Sequence, residues 1–152
     1  MRRSEREILD SKELEEVIKE ASVLHIGFND EDGIYIVPVN FGYADDRFYF
    51  HSAKEGKKID LIKKDPLIGF ELDVLKEVEL HDLSCSSTAY YRSVIGKGII
   101  QEVIEDKEYA MSKIMEHYGQ DKTEFSKEIL ERTALFMIKV NYMSGKEHLH
   151  NG

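Results

Sequence analysis

Three strand-length runs crowd into the first third of the chain and constrain its fold more than any other feature. Val23 to Phe28 alternates apolar and polar residues, Ile34 to Phe41 is β-branched and aromatic, and Arg47 to His51 ends in Phe-Tyr-Phe-His. The segments between them, Asn29-Asp30-Glu31-Asp32-Gly33 and Ala44-Asp45-Asp46, have turn composition and are too short for a helix. Chain order alone therefore predicts an antiparallel meander.

The remaining periodicity adds more strands and a few covering helices. Asp10 followed by Glu13 has capping-box spacing, and Leu14, Val17, Ile18 and Ala21 recur at helical intervals, so a helix is expected from Ser11 to Ala21. Ile59, Leu61 and Ile62 suit a short helix closed by Asp65-Pro66. Leu67 to Asp73 reads as a strand; within Val74 to Cys85 the alternation of Val78 and Leu80 with Glu77, Glu79 and His81 suits an edge strand, and Ser84 to Thr88 suits a loop. Tyr90 to Val103 is a long β-rich run whose Gly96 and Gly98 mark a bend or a close approach, read here as room for a ligand. Lys107 to His117 resembles a helix stopped by Gly119, Phe125 to Leu130 adds a helical turn, and Ala134 to Asn141 is the last strand. The sum is a mainly β fold with packing helices, a closed or partly split antiparallel barrel of about six strands in one domain spanning residues 1–152.

Charge and composition narrow the function. A net charge of -9 argues against a general nucleic-acid binder. The apolar stretches are only strand-length and no apolar region follows Met1-Arg2-Arg3-Ser4-Glu5-Arg6, so neither a membrane partner nor a secretory signal is expected and the location is read as cytoplasmic. The single cysteine, Cys85, excludes an internal disulfide and a multi-thiolate zinc site, and reads as a buried small apolar residue. His25 reads as a satisfied strand histidine, His117 as a helix-end histidine, and His148 with His150 as a weak tail pair. No metal-ligand set is assigned.

The segment Tyr49-Phe50-His51-Ser52-Ala53-Lys54-Glu55-Gly56-Lys57-Lys58 runs from a strand through a polar pair and a glycine into a helix start. An anion there would meet free backbone N–H groups, the positive end of the helix dipole and a lysine ammonium, as a phosphorylated cofactor requires. The same residues also suit a hairpin strand running into an exposed, lysine-rich helix start.

Together, Ile36-Val37-Pro38-Val39-Asn40-Phe41-Gly42, the Phe48 to Lys58 segment and Tyr91-Arg92-Ser93-Val94-Ile95-Gly96-Lys97-Gly98 resemble the flavin-binding split-barrel proteins related to pyridoxamine 5'-phosphate oxidase, nearest to their nitroimidazole-resistance branch. The resemblance extends to Arg2-Arg3, Glu5-Arg6 and Gly145-Lys146. It implies a six-stranded antiparallel split β-barrel that dimerises with itself and holds FMN between the subunits, with FAD or haem as alternative cofactors. By that likeness Val37, Pro38, Val39 and Asn40 lie along the isoalloxazine ring; Phe50, His51, Ser52 and Ala53 lie by the ribityl chain and phosphate; Lys57 and Lys58 supply the cation. Arg92, Ser93 and Val94 approach from the neighbouring strand or the partner subunit.

His51 is the candidate for proton transfer, since its ordinary pKa lies near neutrality. The activity implied is reduction of a small electron acceptor, such as a nitroaromatic, with electrons from a small-molecule donor. The alternative is a flavin- or haem-binding protein without turnover. Two departures bear on substrate: Ile34-Tyr35 follows Gly33 where that branch usually has Pro-Tyr, and the oxidase's C-terminal arginine and histidine pattern is absent.

Overall fold

The structure, a computed structural model, describes residues 2–121 and 124–151. Its strands are β1 (Glu7–Ile8), β2 (Leu24–Asp30), β3 (Gly33–Val39), β4 (Gly42–Ala44), β5 (Arg47–Ser52), β6 (Leu67–Glu79), β7 (Thr88–Glu102) and β8 (Ala134–His148). The helices are α1 (Ser11–Glu20), α2 (Lys57–Lys64), α3 (Lys107–His117) and α4 (Lys127–Arg132). All pairings are antiparallel, in the order β3-β2-β6-β7-β8-β5-β4, with β1 added beside β8. No pairing joins β3 to β4 among the described residues, so the sheet is open, as in a split barrel. Six strands, β2, β3, β5, β6, β7 and β8, have six residues or more, in keeping with the expected number of about six, and β1 and β4 are short additions.

The expected meander is corrected. β2 and β3 form their hairpin, but β3 never pairs with β5, and the run from Ile34 to Phe41 breaks at Asn40. The reason is local. Phe41 N–H leaves the ladder and donates to Tyr118 Oη at 3.2 Å, and that hydroxyl donates to Ser22 O at 2.7 Å. The chain thereby crosses from one end of the sheet to the other, and β5 pairs with β4 and β8.

Burial explains why some runs alternate and others do not. Phe48, Phe50, Phe136 and Ile138 face the main core, filled from the helix side by Leu14, Val17 and Ile18 of α1 and Ile59, Leu61 and Ile62 of α2. Tyr49 and Leu135, on the other face of β5 and β8, pack under Ala110, Met111 and Ile114 of α3. Strands covered on both faces read as continuous apolar runs. α1 begins where Asp10 Oδ1 accepts from the backbone N–H groups of Lys12 and Glu13, at 3.0 and 3.1 Å.

Two further readings change. Leu67 to Asp73 and the edge strand expected within Val74 to Cys85 are one continuous strand that ends at Glu79, interior where it pairs with β2 and an edge only beyond it. Cys85 is exposed in the turn joining β6 to β7, where no core is within reach to bury it.

Candidate functional site

The junction of β5 and α2 is built by the sequence features that suggested it. Gly56 has φ of 134°, a conformation that disfavours any side chain, and its carbonyl opens α2 by accepting from Asp60 N–H at 3.2 Å. Unlike α1 and α4, whose Asp10 and Ser126 side chains cap them, α2 has no side-chain cap. Its first-turn N–H groups are therefore free to meet an external acceptor. The residue before Pro66 is held extended, at φ -151° and ψ 106°, which ends the helix after two turns.

The two lysines divide their work. Lys57 Nζ pairs with Asp30 Oδ2 at 3.0 Å and lies 4.5 Å from the Tyr35 ring centre, pinning the start of α2 to the β2–β3 hairpin. Its pKa is raised, chiefly by the hydrogen bond to Asp30. Lys58 is half-buried, rests 5.9 Å from the centre of the Phe50 ring, and has no acidic partner among the described residues. Burial lowers its pKa. His51 is its neighbour, with a pKa lowered first by burial and then by the Lys58 charge. The Lys58 ammonium, the His51 ring and the uncapped N–H groups of α2 thus stand together at this junction, a set of groups suited to an anion.

The other expected residues are distributed unevenly. Ser52 is half-buried and Ala53 exposed beside this junction. Among the described residues β3 pairs only with β2, so the Val37-Pro38-Val39 stretch presents a free backbone edge there, with Asn40 exposed just beyond it. Phe50 and Val94 are fully buried, Phe50 stacked on Phe136 at 5.4 Å, so their side chains support the site from the core. Arg92 is held by Glu147 and Glu20 at 3.0 Å each and by Glu16 at 3.6 Å.

Register separates the motifs within one chain. His51 sits across from Leu135, and Ser93 across from Lys146 at the opposite end of the same strand, β8. Eleven residues of strand are a path of roughly 36 Å. Gly96 and Gly98 make room for protein: a Cβ on Gly96 would lie 2.3 Å from the Phe70 ring and 2.4 Å from Tyr142 O, and one on Gly98 2.6 Å from Lys139 O.

Sequence reasoning did not find a cluster on the outer face of the sheet, where donor atoms of His25, Glu71 and Asp73 lie within 4.8 Å of one another. Glu71 has its pKa pushed up to about 8, by burial first and then by its hydrogen bond and repulsion with Asp73. The available signal was the two-residue spacing of Glu71 and Asp73, which puts both on one strand face. A groove of about 560 Å³ is lined in part by Asp45, Glu102, Glu105 and Asp106, with Arg47 as the one cation among the described residues that line it, a mainly acidic wall that disfavours phosphate.

The profile of the pyridoxamine 5'-phosphate oxidase family matches residues 10–147, and the chain belongs to that family. A candidate 5-nitroimidazole antibiotic resistance protein from Bacteroides thetaiotaomicron is 28% identical and superposes with a TM-score of 0.82, covering 93% of this chain and 86% of that one. The fold is shared with the FAD and heme binding protein from Mycobacterium smegmatis, at 15% identity, TM-score 0.84 and coverage of 97% and 74%. It is also shared with the flavocytochrome Anf3 from Azotobacter vinelandii, at 16% identity, TM-score 0.79 and coverage of 99% and 72%. No curated protein matches the sequence. No helix among the described residues is long and apolar enough to cross a membrane.

Proposed function

We propose that the protein is an FMN-dependent oxidoreductase, active as a homodimer, that reduces a small acceptor of the nitroaromatic class. The observation that carries this is Lys58, a half-buried ammonium with no counter-ion among the described residues, beside an uncapped helix start, in a member of this family. Burying a cation unpaired is costly, and a phosphate monoester completes the pairing with charge-assisted hydrogen bonds. Lys58, Ser52 and the first N–H groups of α2 would hold the phosphate, and the free edge of β3 from Val37 to Asn40 would flank the ring. Bound there, the flavin supplies two-electron redox chemistry that no side chain here can supply. His51 lies at the Lys58 end of the site, so its proton serves the anion rather than the ring.

Two observations support a homodimer. Ser93 lies too far along the sheet from His51 to complete the same cleft within one chain. The outer sheet face exposes Ile34, Ile36, Leu67, Ile95, Ile99 and Tyr142 together, each 42–64% exposed, and a contiguous apolar patch of this kind marks an interaction surface.

The test is the visible absorption spectrum of the purified protein, the mass of any released chromophore, and turnover. Flavin bands, an FMN mass and consumption of a reduced nicotinamide dependent on a nitroimidazole are expected. A FAD mass would change the cofactor, a Soret band would replace flavin by haem, and flavin binding without turnover would make the protein a carrier. A colourless protein that takes up no FMN would overturn the proposal.

A further inference from the structure

His25 of β2 stands directly across from Glu71 of β6, and Asp73 follows on the same face of the same strand. We infer that these three side chains form a binding site for a divalent transition metal ion of the zinc and cobalt class. The inference is independent of the flavin reading, since it uses none of the residues around Lys58.

The donor set comes first. One imidazole nitrogen and two carboxylates suit borderline divalent ions. Ligands bound at these metal distances lie about 3 to 3.5 Å from one another. His25 Nδ1 and Glu71 Oε2 are already 3.0 Å apart, and the whole set lies within 4.8 Å, so a side-chain rotation at Asp73 closes it.

The second observation is His25 Nδ1 itself. That atom is shielded from water and makes no aligned hydrogen bond, although Glu71 is close enough to accept one. A ring nitrogen aimed between two carboxylates, with neither carboxylate paired to a lysine or arginine among the described residues, leaves a place for a cation.

The third is rigidity with access. Paired strands fix all three backbone positions, so little side-chain or backbone entropy is lost on binding. In the single chain the His25 and Glu71 side chains are 41% and 37% exposed, so an ion can reach them. All three ligands come from one chain, so a second copy resting on the neighbouring apolar patch is not needed to complete the set.

The full chain, stripped with a chelator, is titrated with Co2+ by visible absorption and with Zn2+ by calorimetry at neutral pH. One ion per chain is expected, with cobalt bands in the visible and a higher melting temperature when zinc is present. His25→Gln and Glu71→Gln should weaken binding at least about tenfold and abolish the thermal shift. Asp73→Asn, at an exposed position, provides the same test should either of those fail to fold. A double variant, His148→Asn with His150→Asn, should bind as the parent does. The inference is overturned if the parent takes up no ion, if Asp73→Asn and Glu71→Gln bind like the parent, or if the tail variant loses the ion. The last result would move the metal to Glu79, His81 and His150, which gather at the far end of the sheet.

Discussion

Lys58 and Arg92 are both partly buried cations in motifs that the sequence nominates for cofactor binding, and their settings are opposite. Arg92, its side chain only 11% exposed, is surrounded by Glu16, Glu20 and Glu147, with Lys76 bridging to Glu20 as well. Lys58 pairs with no carboxylate among the described residues, and a second basic group, His51, stands at its side. A buried cation paired with carboxylates from several elements ties those elements together, here α1 to β7 and β8. One left unmatched keeps its desolvation cost until a ligand arrives. Residue type and motif position look alike in the two cases, and the partners decide the role.

The largest expected effect is on the unmatched cation. Lys58→Met keeps the aliphatic stem and removes the charge, and should weaken FMN binding by about 1.5 to 3 kcal/mol, roughly 10- to 150-fold, with stability unchanged or raised. Fluorescence titration and urea unfolding together read both quantities. FMN affinity equal to the parent's would remove the phosphate assignment and with it the contrast.

Next is the matched cation. Arg92→Met should lower unfolding stability by about 1 to 3 kcal/mol, discounted from a fully buried network because its three carboxylates are partly solvated. FMN affinity should stay within about twofold of the parent. A stable variant that no longer holds FMN would make Arg92 a cofactor ligand and erase the distinction.

Much of this architecture was legible because local signals agreed with the global fold. The Asp10 cap, the Asp65-Pro66 stop and the β2–β3 turn each act within a few residues. The crossing between β3 and β4 was not legible, because it depends on Tyr118, 77 residues away from Phe41. Within the site, the strand-glycine-helix pattern located Lys58, yet nothing in Lys57-Lys58 says which lysine is taken by Asp30. Arg92 likewise reads as a ligand until α1 and β8 bring three glutamates to it. The His25 cluster was hidden because pairing of β2 with β6 is set by the whole sheet order.

Lys57 offers a finer test of how the two lysines differ. Lys57→Ala removes the anchor to Asp30 and one positive charge from an exposed position, and should reduce FMN affinity less than Lys58→Met does, by under about threefold. An effect equal to that of Lys58→Met in the same titration would mean that both lysines reach the phosphate and that the Asp30 pair opens on binding.

The smallest effect is a proton. In the free protein the His51 pKa lies below its ordinary value, through burial and the Lys58 charge, so the folded state prefers the neutral ring. As pH falls below the ordinary histidine value, an unfolded chain takes up this proton before the folded one does, and His51 costs stability in that window. An anion neutralising Lys58 removes the repulsion and favours the imidazolium, which raises the His51 pKa. The complex then binds more protons than the free protein between the two values, so FMN affinity rises as pH falls through that interval, by less than about tenfold per pH unit. Following the His51 ring proton by NMR with and without FMN, and again in Lys58→Met, separates the causes. The parent's pKa should rise on binding, and that of free Lys58→Met should already sit higher than the free parent's. Identical titrations in all three would show that the ring does not sense Lys58, and that the paired basic character of this junction has no part in holding the anion.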